Sequence, residues 1–269
     1  MLGSDVAAAG RRAGHDVVAL TRAELDVTRP DHAAVRLAEH RPDAVVNCAA
    51  WTDVDGAEAE EARALEANAP AAFFVRVADA GAVLLHVSTD YVFDGAKRTP
   101  YVEGDRPAPQ GAYGRTKLAG EETARASGGP HLVVRSGWLY GTGGDNFVDT
   151  MLRLGRERGH VTVVDDQLGC PTSTRDLADG LVELLEREAR GLWHLAAEGE
   201  CTWFTLAREA LLRAGIPCTV EPTTTAALGR PAPRPDYSVL RSERGARPLP
   251  HWREGVARYL AERASVVTA

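Results

Sequence analysis

The chain has 269 residues, 44% of them hydrophobic and 26% charged, with a formal net charge of -7. That length suits one large α/β domain, or a nucleotide domain with a smaller substrate domain, and gives a sizeable core. The acidic balance opposes nucleic acid, which needs clustered Lys and Arg. No apolar run reaches the roughly 18 residues of a membrane span, and no signal peptide opens the chain.

In chain order, helical spacing over residues 4–13 is followed by an apolar β-branched run at 15–20 and a second helix at 31–40. A strand at 44–50 precedes a long helix at 59–80, then a strand at 83–87, a helix at 111–126 and a strand at 131–135. Continuously apolar strands alternating with helices predict an α/β fold, a Rossmann-like doubly wound parallel sheet. After Tyr140 the texture changes to Gly and Asn. A helix at 147–158, a strand at 161–164, helices at 176–187, 202–214 and 252–263, and a strand at 192–196 complete the pattern. Residues 222–250, rich in Pro, Thr, Ala and Arg, read mostly as loop that folds over a substrate. Residues 1–140 therefore read as the nucleotide-binding domain, and 141–269 mainly as a substrate-binding region with segments returning to the first. Cys48, Cys170, Cys201 and Cys218 form no CxxC pair, so free thiols in a reducing cytoplasm are expected and no metal site is encoded.

Tyr113 and Lys117 lie one helical turn apart on one face, so their head groups can converge. A phenol with its usual pKa near 10 relays protons at neutral pH only when a neighbouring ammonium favours its anion, and Lys117 offers that charge. The strand ending in Ser88 and Thr89 precedes Tyr113 by about two dozen residues. Ligands of open α/β sheets bind beyond the carboxyl ends of strands, where a Thr89 hydroxyl meets a substrate oxygen. Thr89, Tyr113 and Lys117 together indicate a nicotinamide-dependent carbonyl reductase.

Eight strings carry a resemblance: ELDVT (24–28), VVNCAAWTDVDGAE (45–58), VSTDYVFDG (87–95), YGRTKLAGE (113–121), VVRSGWLYG (133–141), NFVDTMLRL (146–154), VVDDQLGCPT (163–172) and RPDYSVL (234–240). In this order they resemble the dTDP-4-dehydrorhamnose reductase family, one of the extended short-chain reductases, over nearly the whole chain. The resemblance implies NADPH-dependent reduction of the C4 keto group of dTDP-4-dehydro-β-L-rhamnose to dTDP-β-L-rhamnose. The partner it implies is thus a nucleoside-diphosphate 4-keto-6-deoxysugar, and a homodimer is compatible with it. Tyr113 would protonate the nascent alkoxide, Lys117 would hold the nicotinamide ribose and tune Tyr113, and Thr89 would polarise the carbonyl. Tyr91 and Trp138 match sugar-pocket positions, and Arg234 can bind a diphosphate bidentately. A reductase of another dTDP-4-keto-6-deoxyhexose, or a non-catalytic regulatory subunit on the same fold, stand as alternatives; retention of Thr89, Tyr113 and Lys117 favours the enzyme.

For the cofactor, Ala49 and Ala50 end a strand where small residues admit the pyrophosphate or ribose, with Asn68 supporting them. Asp26 and Val27 match the family's adenine-contacting segment. Arg22 stands where an acidic residue usually meets a ribose 2′-hydroxyl, and an arginine suits a 2′-phosphate, which favours NADPH while leaving NADH open. Gly3 reads as the last glycine of a dinucleotide fingerprint. The first strand and first two glycines, about ten residues, are then missing, and a longer natural protein is expected.

Overall fold

The computed structural model describes residues 1–267, with side chains through residue 264. Four parallel strands form the central sheet in the spatial order Ala44–Asn47, Val83–Thr89, His131–Ser136, Gly191–His194. Alternation along the strands feeds two cores. Leu85, Val87, Leu132 and Val134 pack with Leu2, Val6, Leu177 and Leu181 from helices Leu2–Arg12 and Thr174–Glu186. On the opposite face, Leu84 and Val133 pack with Leu37, Phe73, Phe74, Val77 and Ala124. Helices therefore cover both faces of the parallel sheet, as continuously apolar strands require.

The carboxy-terminal half builds a core of its own from Tyr140, Val148, Leu152, Leu206, Trp252 and Val256. Its helix Phe147–Arg158 has the bounds the sequence predicts, because both ends are written in side-chain chemistry. Asn146 caps the start by accepting from Asp149 N at 3.0 Å, and Gly159 closes the end in the left-handed region at φ 63°.

Three expectations need correction. Residues 15–20 form no strand. A β-branched run becomes a strand only beside a neighbour that completes its hydrogen bonds. Among the described residues neither this segment nor the outer edge of Ala44–Asn47 has such a neighbour. The helix expected over 59–80 is three helices, Val54–Ala59, Glu61–Asn68 and Ala71–Asp79. Glu60 leaves helical geometry at φ -129° and ψ 41°, and Pro70 drives Ala69 out of it. The loop expected over 222–250 contains the end of strand Thr219–Thr223, the helix Thr225–Leu228 and the start of strand Leu249–His251. In its middle Tyr237, Ser238, Val239 and Leu240 are buried, and bridges join Tyr237 to Leu168 and Leu240 to Tyr101.

Asn146 does more than cap, since its Nδ2 also donates to Gly141 O at 3.0 Å and to Tyr259 Oη at 3.1 Å. Asn146→Ala is expected to lower unfolding free energy by about 2 kcal/mol, the upper end for a lost cap, in a urea titration. A loss below about 0.5 kcal/mol would show that the cap does not organise this region.

Candidate active site

The site forms where the central strand Val83–Thr89 runs out and the helix Ala112–Ala126 crosses its end. Close approach depends on two glycines of that helix. A Cβ on Gly114 would overlap the Tyr91 carbonyl oxygen, and one on Gly120 would overlap the Asn68 carbonyl oxygen. Glu58 completes the helix start, its carboxylate accepting from Ala112 N at 2.7 Å, while Gly111 offers no side-chain cap. Asn68 ties the helix to the preceding loop. It donates to Thr116 Oγ1 at 3.0 Å and accepts from Trp51 N at 2.9 Å.

Thr89 ends the strand and starts the turn Asp90–Val92, its Oγ1 accepting from Tyr91 N at 3.2 Å. Its own proton goes to Asp90 Oδ1 at 3.1 Å. Asp90 is buried and takes a second bond at 2.5 Å from the Ser238 hydroxyl. Burial pushes its carboxyl up to about 6, against the pull of Ser238 and Thr89. Sequence reading passed over Asp90 and Ser238, although both lie inside quoted motifs.

Tyr113 is half-buried, with its ring edge-on to Tyr91 at 5.8 Å. Burial pushes its phenol up to about 12; the Thr89 hydroxyl pulls downward and the Asp90 charge pushes upward. The phenol therefore carries its proton at neutral pH, the state a general acid needs. Lys117 lies one turn deeper, buried, with Nζ donating to Val87 O at 2.6 Å. Burial lowers its ammonium to about 8, and Glu121 opposes the fall. The Lys117 ammonium bonds a backbone carbonyl, and the phenol is shifted up chiefly by desolvation.

Of the expected cofactor residues, Ala49 and Ala50 follow the carboxyl end of strand Ala44–Asn47. Gly3 is exposed beside Cys48, at the start of a helix whose first turn has no side-chain cap. Ala49 is exposed and Ala50 half-buried, and Asn47 Oδ1 holds their turn by accepting from Ala49 N at 3.1 Å. Arg22 is 86% exposed and 3.4 Å from Asp26, whose carboxylate is held low chiefly by the Thr28 hydroxyl and amide. Val27 is half-buried beside it. Uncapped helix amides, small residues after a strand end and an exposed Arg22 guanidinium fit a phosphorylated dinucleotide.

Of the expected substrate residues, Tyr91 stands against Tyr113, but Trp138 and Arg234 are already engaged. Trp138 stacks on Trp203 at 3.5 Å with rings 2° from parallel, is 9% exposed, and adopts φ 53°. Its buried Nε1 has no partner within the protein, which leaves a donor for a ligand oxygen. Arg234 is no solvated loop arginine: only 9% of its side chain is exposed, and Nη2 meets Asp55 at 3.0 Å. Asp55 also binds Arg230 and accepts from Ala232 N at 3.1 Å.

Known proteins resemble this chain in sequence and in backbone. The RmlD substrate binding domain family matches residues 1–265. The chain is 46% identical to a dTDP-4-dehydrorhamnose reductase of Mycobacterium tuberculosis, covering 98% of this chain and 90% of that protein. It is likewise 46% identical to the Streptomyces griseus enzyme of that name, covering 94% and 88%. A crystal structure of the Bacillus anthracis dTDP-4-dehydrorhamnose reductase in complex with NADP superposes with a TM-score of 0.94 at 36% identity, covering 97% of this chain and 95% of that one. With likeness of sequence and backbone running through both halves of the molecule, the chain belongs to the dTDP-4-dehydrorhamnose reductase family.

Proposed function

We propose that this protein reduces the C4 ketone of dTDP-4-dehydro-β-L-rhamnose with NADPH, giving dTDP-β-L-rhamnose, through Thr89, Tyr113 and Lys117. The observation that carries the reading is the conjunction at one strand end of a protonated phenol, a threonine hydroxyl and a buried ammonium. NADPH supplies the hydride. Gly3, Arg22, Asp26, Val27, Ala49 and Ala50 would hold its adenine, 2′-phosphate and pyrophosphate portions, and Tyr113 and Lys117 its nicotinamide ribose. Residues 1–140 form this half; residues 141–269 mainly bind the sugar nucleotide, while Thr174–Glu186 and Gly191–His194 return to the sheet.

The residues divide the proton work. Thr89 Oγ1 already accepts from Tyr91 N, so its single proton is directed either to Asp90 or to the substrate oxygen. Moving it to the oxygen polarises the ketone where negative charge develops. Tyr113 then gives its phenolic proton to that oxygen. Tyr91 and the unpartnered Trp138 Nε1 face the sugar, and Arg234, released from Asp55, takes the diphosphate. Four free cysteines support a cytoplasmic setting. Among the described residues no helix is long and apolar enough to cross a membrane.

The purified protein should consume NADPH with dTDP-4-dehydro-β-L-rhamnose and yield the L-rhamno product by NMR; no turnover removes the reading. Tyr113→Phe should reduce kcat by about 10²-fold or more, the usual worth of a placed acid, with NADPH binding nearly unchanged. Unchanged turnover would remove Tyr113 from that role. Lys117→Ala should damage both turnover and NADPH binding.

The pH dependence has a defined sign. Lys117 is charged below its value of about 8 and neutral above it, so kcat/KM should hold at neutral pH and fall through pH 8 as the ammonium is lost. A descending limb near the pKa of a free lysine, about 10.4, would show that burial does not control this group.

A further inference from the structure

A fully buried ion pair lies one turn beyond Lys117 and takes no part in the steps above. Glu121 on the catalytic helix and Arg135 on the strand His131–Ser136 have side chains 1% and 2% exposed. They meet through two parallel bonds, Nε to Oε1 at 2.8 Å and Nη2 to Oε2 at 2.6 Å. Ser88, the residue before Thr89 and the register partner of Arg135, donates to the same Oε1 at 2.5 Å.

The rest of the guanidinium is equally placed. Its Cζ lies over the Phe93 ring, 5.0 Å from the centroid. Nη1 is 3.4 Å from His194 Nε2, while His194 Nδ1 lies 3.1 Å from the Tyr101 and Arg241 carbonyl oxygens. Two carbonyls can only accept, so Nδ1 carries the proton and Nε2 offers its lone pair to Arg135. Burial, with Arg135 adding to it, lowers His194 to about 4 and keeps the ring neutral.

Stability alone does not account for such a pair, because well-packed apolar side chains in its place are commonly neutral or stabilising. Its position does. The groups that face Lys117 are Tyr113 and Glu121 on its own helix, Cys48 from the turn after Ala44–Asn47, and His86 with the Val87 carbonyl from the central strand. Burial pushes the Cys48 thiol up to about 12 and holds His86 well below its ordinary value, so both are neutral. Tyr113 keeps its proton. Among these groups Glu121 is the negative charge that favours the charged form of the ammonium, and Arg135 is the cation bonded to that carboxylate.

We propose that Glu121 and Arg135 are positioning residues for the reductase: the Glu121 carboxylate keeps Lys117 charged, and Arg135 with Ser88 clamps that carboxylate to the strand end that carries Thr89. The inference rests on the proposed role of Lys117. The parent protein's turnover tests that role first, so failure of one is distinguishable from failure of the other.

The test compares Glu121→Gln, Arg135→Met and the double variant by kcat/KM across pH, by fluorescence titration of NADPH binding across pH, and by thermal unfolding. Glu121→Gln and the double variant should move the alkaline limb of both profiles down by about one pH unit. The charged fraction of Lys117 at pH 8 then falls about fivefold, with little change at pH 6. Arg135→Met leaves the carboxylate in place and should not lower the limb. Either single variant leaves a buried charge unpaired and is prone to misfold, so the double variant decides, with a Tm near that of the parent. A folded double variant with the parental limb, activity lost equally at every pH, or a double variant that does not fold would each overturn the proposal.

Discussion

The site depends on how closely one helix can lie against the end of one strand. Lys117 reaches the Val87 carbonyl at 2.6 Å only because Gly114 and Gly120 let the helix Ala112–Ala126 settle onto Tyr91 and Asn68. That contact puts Lys117 beneath the surface, where desolvation lowers its pKa, and leaves Tyr113 one turn nearer the solvent beside Thr89. Glu58 at the helix start and Asn68 near its middle fix the same docking from the other side. The fold therefore sets the chemistry through distance: a larger side chain at either glycine would move the ammonium and the phenol together.

Desolvation by the same packing acts differently on the two groups. It raises the phenol and lowers the ammonium, so the two shifts bring their pKa values no nearer to the conventional picture of a lysine-activated tyrosinate. A reductase needs the proton on the acid before hydride arrives, and a phenol held near 12 satisfies that need across the physiological range. The weak point is instead Lys117, whose charge survives near neutrality only with help. Asp90 lies on the opposite side of Thr89, buried and raised to about 6. Its hydrogen bonds to Thr89 and Ser238 tie the strand end to the carboxy-terminal half.

Much of this was legible from sequence because the responsible features are local. Apolar runs and helical spacing locate the Phe147–Arg158 helix and the four central strands, and the spacing of Tyr113 and Lys117 places them on one helix face. What stayed hidden is non-local. Residues 15–20 read as a strand, yet a strand requires a neighbour that residue types do not supply. Asp90 and Ser238 are 148 positions apart, and Asp55 meets Arg234 across a comparable span. Nothing in their spacing links such pairs. Glu121 and Arg135 fall inside quoted motifs, but their pairing appears only when the strand and helix are laid side by side. A carboxylate one turn beyond Lys117, read as a helical neighbour, was the available signal.

Asp55 shows how the carboxy-terminal half is coupled to the cofactor half before any ligand arrives. It lies in the first turn of helix Val54–Ala59 and gathers Arg230, Arg234 and the Ala232 amide onto that turn. In the proposed complex a diphosphate would compete with Asp55 for the Arg234 guanidinium, which Asp55 now meets through Nη2 at 3.0 Å. Because Tyr91 lies in the field of Arg234 and Arg230 and also touches Tyr113, exchange of one anion for the other would be felt beside the acid. Because Arg234 and Asp55 are both largely buried, with side chains 9% and 19% exposed, breaking the pair costs more than opening a surface ion pair, and a nucleotide that takes Arg234 would have to offset that cost.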